Sequence, residues 1–136
     1  MGGFCTAINC MDGRVQLPVI EYLQQRFGVD YVDALTEPGP NRILAEGSDA
    51  TALASIERRL RISVEKHGSV GIAVIGHHDC TGNPTPRSEQ ARQTAAAVRC
   101  VRDWIGPSPP VIGLWVDERG CVSQEDADRD VYTERQ

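Results

Sequence analysis

Apolar residues along the chain fall into two patterns, short unbroken runs and longer stretches with helical spacing. The runs "GFCTAINC", "VDYVDALT", "SVGIAVIG" and "PVIGLWV" read as strands. Of these, "SVGIAVIG" is apolar on both faces and reads as the middle of a parallel sheet. "VQLPVIEYLQQRFG" places Leu17, Ile20, Leu23 and Phe27 on one helical face, tolerates Pro18 in its first turn and is closed by Gly28. "EPGPNR" reads as a loop by its Pro and Gly content. Ser48 or Asp49 caps a second helix, in which Leu53, Ile56, Leu60 and Val64 repeat at three-and-four spacing until Gly68. Thr85 or Ser88 caps a third, with Val98, Val101 and Ile105 on its inner face and Gly106 with "PSPP" ending it. "DERG" and "CVSQ" follow the last long strand as a turn and a short return strand. From about 124 to 136 the chain is polar and reads as a loose tail or a partner-contacting arm.

Strands alternating with helices predict an α/β fold with a mainly parallel central sheet and helices on both faces. Right-handed crossovers favour the order 2-1-3-4, with the short return strand antiparallel at the edge. The switch point then lies between the first and third strands, and ligands bind at the carboxyl ends of strands flanking such a point. Cys10 ends the first of these strands and His77 the third, so residues far apart in sequence become neighbours.

At 136 residues the chain is expected to form one domain, spanning 1–136, with a core that needs no disulfide. A net charge of −5 argues against a nucleic-acid or anionic-membrane binder, since both require a basic surface. No run approaches the ~18 apolar residues of a membrane helix, and "MGGFCTAINC" has no leader pattern. A cytoplasmic protein is the expectation, and there Cys5, Cys10, Cys80, Cys100 and Cys121 are free thiols or metal ligands.

"GHHDCTGNP" and "CMDGR" carry the candidate chemistry. His77-x-x-Cys80 puts two ligand types where the chain leaves a strand, and Cys10 arrives from across the switch point. Two thiolates and an imidazole suit Zn²⁺ and leave a fourth tetrahedral position open. Each residue also has an ordinary explanation. A buried cysteine is usually a small hydrophobe, and Asp12 beside Arg14 is commonly a solvated ion pair in a turn. In the functional alternative Arg14 holds Asp12 ionised, ready to accept a hydrogen bond from a metal-bound water.

"C-x-D-x-R" followed by "G-H-x-x-C" resembles the β-class carbonic anhydrases. The likeness extends through "SIERRLRISVEKHGSVGIAVIGHHDC" and "IGLWVDERGCV" and covers most of residues 4 to 122. It implies a zinc lyase that reversibly hydrates CO₂ to bicarbonate. Cys10, His77 and Cys80 would be its zinc ligands and Asp12 with Arg14 its catalytic dyad, the dyad orienting the attacking oxygen. It further implies that the fourth zinc position holds water or, in a resting form, Asp12. A homodimer or higher homo-oligomer is also implied, and the open sheet edges favour one. The chain departs from that family at "TEPGPN", where a "RNAGN"-like segment is usual, and at "CTGNP", where "CG" is usual. It also begins close to its first strand, where the family carries N-terminal helices. A minimal or divergent member is therefore expected.

Two other functions stay open within the same fold: hydrolysis of carbonyl sulfide or carbon disulfide, and a structural or regulatory zinc domain without turnover. A thiol phosphatase is disfavoured. Cys80 to Arg87 is C-x₆-R, one residue longer than the C-x₅-R phosphate cradle, which misplaces the guanidinium. His78 reads as a proton shuttle or a solvated turn residue. Asp79 reads as a turn cap, Asn83-Pro84 as a turn, and His67 as a helix-end imidazole complementing the dipole. Cys5 belongs in the core, Cys100 and Cys121 have no partner at metal spacing, and Arg42 reads as an exposed loop residue.

Overall fold

The central strands form because their residues can be buried on both faces. β1 (Phe4–Cys10) and β3 (Ile72–His77) are almost wholly inaccessible to solvent, as is β4 (Val111–Val116). β2 (Tyr31–Glu37) and the short β5 (Val122–Glu125) are more exposed and lie at the two edges. The computed structural model, which describes residues 2–125, orders the sheet β2-β1-β3-β4-β5. All pairings are parallel except β4–β5, so the expected 2-1-3-4 order and antiparallel return strand are both present. The expected polar tail from about 124 to 136 falls mostly outside the described residues, while Gln124 and Glu125 belong to β5.

Among the described residues four helices cover the sheet: α1 (Gln16–Phe27), α2 (Pro40–Glu46), α3 (Ala50–Glu65) and α4 (Arg87–Ile105). One core cluster joins Cys5, Ala7, Ala73, Ile75 and Leu114 to Val19 and Leu23 of α1. The other joins Ile8, Ile72 and Val74 to Leu44 of α2, Ile56 and Leu60 of α3, and Val98 and Val101 of α4. Each fully buried Leu or Ile contributes about 1.5–3 kcal/mol, so helices with such faces dock on the sheet whatever their intrinsic propensity.

Three local expectations are corrected. The inner face of α1 is Val19 and Leu23, with Val15 just before it, and Leu17 is 64% exposed. A 3₁₀ turn (Gly13–Val15) precedes the helix. "EPGPNR" is not a loop throughout. Gly39, at φ 64°, turns the chain and Pro40 starts α2 with its ring-fixed φ, leaving Arg42 on a helix, paired with Glu46 at 3.1 Å. α4 is capped by neither Thr85 nor Ser88. Its N-cap is Pro86, and the Thr85 hydroxyl instead donates to Asn83 Oδ1 at 3.2 Å. Asp49 does cap α3, accepting from the Ala52 N–H at 3.0 Å. Among the described residues no helix is long and apolar enough to cross a membrane.

Candidate metal centre

The β1–β3 ladder pairs only Thr6–Ile8 with Ile72–Val74, so the two strands part before their carboxyl ends. That opening is the switch-point crevice, and the donors converge there. One donor atom each of Cys10, His77 and Cys80 lies within 4.8 Å of the others, all three residues buried. The two Sγ atoms stand 3.8 Å apart and form no disulfide. Two thiolates on a tetrahedral zinc, at about 2.3 Å each, stand about 3.8 Å apart. His77 Nδ1 is 2.8 Å from the His78 carbonyl oxygen, which can only accept. Nδ1 therefore carries the proton and Nε2 keeps its lone pair. Among the described residues Nε2 is buried without a hydrogen-bond partner. A buried nitrogen lone pair with no protein donor, beside two sulfurs, fits a thiophilic divalent metal.

The sulfurs are prepared for negative charge. Main-chain N–H groups of Gly39 and Asp12 point at Cys10, and those of Asn83 and Gly82 at Cys80. The contact between the two sulfurs draws Cys10 down and pushes Cys80 up, so a charge on one disfavours a charge on the other. For His77 burial opposes the charged imidazole, but the neighbouring Cys10 and the His78 carbonyl outweigh it and shift it upward.

Asp12 and Arg14 lie on the turn just after Cys10. Asp12 caps the 3₁₀ turn, its Oδ1 accepting from the Arg14 N–H at 2.9 Å. The guanidinium closes a two-pronged contact, Nε to Oδ1 at 3.1 Å and Nη2 to Oδ2 at 2.7 Å. This holds the Asp12 carboxyl down at about 2 and shifts Arg14 upward. Gln16 fixes the turn from below, its Nε2 donating to the carbonyls of Cys10 at 2.7 Å and Asp12 at 2.8 Å.

Two recesses open on this constellation. One, of about 330 Å³, is lined by Cys10, Met11, Asp12, Pro38, Thr81 and Gly82. The other, of about 410 Å³, is lined by residues including Arg14, His77, His78 and Asp117.

Several residues carry more than their sequence suggested. Asp79 does not cap a turn. At φ 58° it offers its carbonyl oxygen to Arg14 Nη2 at 3.0 Å and its carboxylate to Nη1 at 3.4 Å. Asn83 is fully buried and bonded to Asn41 and Gln93. Asn41, Gln90 and Gln16 had no motif to announce them, because their partners come from distant segments. Other candidates lie elsewhere. His67 sits beyond α3 at the opposite end of the sheet, with Nδ1 2.6 Å from Asp33 Oδ2 and its ring stacked on Phe4. Cys5 is core, its thiol pushed up to about 11 chiefly by burial. Cys100 is partly exposed and Cys121 exposed.

A family model described as "Putative carbonic anhydrase" matches residues 1–125. The chain belongs to that family. No curated protein sequence matches it. Among solved structures, β-carbonic anhydrase isoform I from the protozoan Trichomonas vaginalis superposes with a TM-score of 0.58 at 18% identity, over 88% of this chain and 80% of that one. The apo form of a carbon disulfide hydrolase superposes with 0.61 at 14%, over 97% and 82%. One of two tetrameric β-carbonic anhydrases from the filamentous ascomycete Sordaria macrospora gives 0.50 at 12%, over 90% and 80%. At these identities the likeness is one of fold: this member of the carbonic anhydrase family has the mainly parallel α/β sheet of its β-class neighbours.

Proposed function

We propose that the chain is a zinc lyase that reversibly hydrates CO₂ to bicarbonate, with Cys10, His77 and Cys80 as the metal ligands. The observation that carries this reading is the convergence of three buried donors, one of which, Cys10, lines a small recess together with Asp12, whose carboxylate Arg14 holds ionised. Bound zinc supplies a Lewis acid that makes water a nucleophile near neutral pH. The chain's own residues do the rest. Asp12 stays a carboxylate and so can only accept, which orients the attacking water with a lone pair toward the substrate. Arg14 pins both Asp12 oxygens and prevents the carboxylate from rotating away. Met11 and Pro38 give the small recess apolar walls suited to a compact, uncharged, linear molecule.

Stopped-flow CO₂ hydration by zinc-loaded protein tests the lyase reading. Wild type should exceed buffer clearly, and Asp12→Ala should lose about 10²-fold or more in kcat/KM while keeping its zinc. Wild type no faster than buffer removes the lyase and leaves a zinc domain. Turnover of carbon disulfide but not CO₂ would reassign the substrate. Absence of stoichiometric zinc by elemental analysis, unchanged in Cys80→Ser, removes the metal centre. The reading extends to a homo-oligomer, because β2 and β5 leave both sheet edges open among the described residues. Light scattering that returns a single 14.9 kDa chain overturns that part.

A further inference from the structure

We infer that Gln90 is a positioning residue of the metal centre, holding His77 and the Cys80–Asn83 turn in one frame. The inference rests on the metal reading above and carries it from the donors to what aims them. The β1–β3 ladder ends at Ile8 and Val74, so β1 no longer pairs with the main chain at His77. His77 is 2% exposed, and a buried main-chain N–H or C=O must find a partner. Gln90, 1% exposed on α4, supplies both. Its Oε1 accepts from the His77 N–H at 3.2 Å, and its Nε2 donates to the His77 carbonyl at 2.9 Å. One planar carboxamide thus takes the place of the missing strand at the residue whose Nε2 faces the two sulfurs.

The same amide reaches the second ligand. Its Nε2 lies 3.5 Å from the Asn83 carbonyl, and its Oε1 accepts from Asn41 Nδ2 at 3.2 Å. Asn41 in turn accepts from Asn83 Nδ2 at 3.1 Å. The Asn83 N–H turns back toward Cys80, 3.2 Å from its carbonyl oxygen, and also lowers the cost of charge on its sulfur. An independent mark of this packing is Gly76. A Cβ there would lie 2.8 Å from Asn41 Nδ2, 2.9 Å from Gln90 Oε1 and 3.2 Å from Thr94 Oγ1. The amides press directly on the β3 backbone, and the glycine before His77 leaves them room.

The test uses Gln90→Met, close in shape with no hydrogen-bonding amide, and Gln90→Glu, which keeps the acceptor and loses the donor. Zn²⁺ affinity is read by competition with a chromophoric chelator, and ligand geometry by the absorption spectrum of the Co²⁺ derivative. Gln90→Met should bind Zn²⁺ about 10–100-fold more weakly and shift the Co²⁺ bands, with Gln90→Glu losing less. Thr94→Val removes an acceptor of Asn41 at 3.2 Å without contacting a ligand, so it should lower thermal stability and leave Zn²⁺ affinity within about twofold. Wild-type affinity and spectrum in folded Gln90→Met overturn the inference. If that variant does not fold, the same result in Gln90→Glu overturns it. A Thr94→Val loss equal to that of Gln90→Met also does so, because the role is then structural only. Wild type that binds no Zn²⁺ is a separate failure, that of the metal reading itself.

Discussion

Asp12 serves two purposes with one side chain. It ends the excursion after Cys10 by capping the 3₁₀ turn, and it presents a carboxylate beside the Cys10–His77–Cys80 cluster. Both uses need the ionised form, and Arg14 secures it through the main-chain N–H and the guanidinium together. The linkage follows from the direction of the shift. Its folded value, about 2, lies below the ordinary 3.8, so its contribution is present above 3.8 and is lost as pH falls through about 2. Asp12 therefore adds no titration to activity above about pH 4, nor to stability above about pH 5. Carbon-detected NMR of side-chain carboxyls, with Asp12 assigned through Asp12→Asn, should show a flat signal from pH 7 down to about 4. A midpoint at or above 4 would mean that the Arg14 contact does not persist in solution.

At the scale of elements, the site is built where two loops touch backbone to backbone. A Cβ on Gly39 would meet Asn83 Cβ at 2.9 Å, and one on Gly82 would meet the Pro38 carbonyl carbon at 2.6 Å. This contact brings the Gly39 N–H to Cys10, while those of Gly82 and Asn83 face Cys80. Gly82→Ala must displace the Pro38 backbone. In urea unfolding of zinc-loaded protein it should cost about 1–3 kcal/mol. Gly13→Ala, with nothing within 4 Å of the added carbon, should stay within about 0.5 kcal/mol. Equal losses would show that the loops are not in tight contact. The same region marks where local sequence stopped being informative. Continuous apolar runs gave the strands, because burial on both faces leaves no other pattern. Pro40 and Gly39 read as loop residues because helix starts and turns use the same letters. Leu17 was given the wrong face because the buried row is Val15, Val19 and Leu23 at four-residue spacing, which puts Leu17 about 120° round the helix from Leu23. The convergence of Cys10, His77 and Cys80 was legible through paired motifs, whereas the Asn41–Asn83–Gln90 contacts join residues 42 and 49 positions apart and carry no local signal.

Across the whole molecule, the crevice is the place where the sheet is least closed by its own backbone. β1 pairs along its full length with β2, up to Cys10 opposite Glu37, but with β3 only as far as Ile8. A metal held, as proposed, by Cys10 and His77 at the ends of the two strands and by Cys80 just beyond β3 would join what the ladder leaves apart. The opposite end of the sheet needs no such link. There Ser63 and His67 both bond Asp33, and Thr6 bonds Ser63 and Ser69. Removing such a metal would leave three buried donors without their common partner, so folding and zinc binding should be coupled. A ligand that binds only the folded state stabilises it by about 2.7 kcal/mol at a hundredfold excess over Kd. For a chain of this size that is a rise in Tm of about 10 °C. Chelator-stripped protein should therefore unfold at clearly lower temperature and recover on adding Zn²⁺, while Mg²⁺, which prefers oxygen ligands, should do nothing. Amide hydrogen exchange gives the coupling its place. Stripping the metal should speed exchange at the carboxyl ends of β1 and β3 and in the 78–86 loop, and leave the Asp33–Ser63–His67 end as it was. Uniform loss of protection would mean that the ion acts on global stability alone. No change at either end would mean that the crevice holds itself together without it.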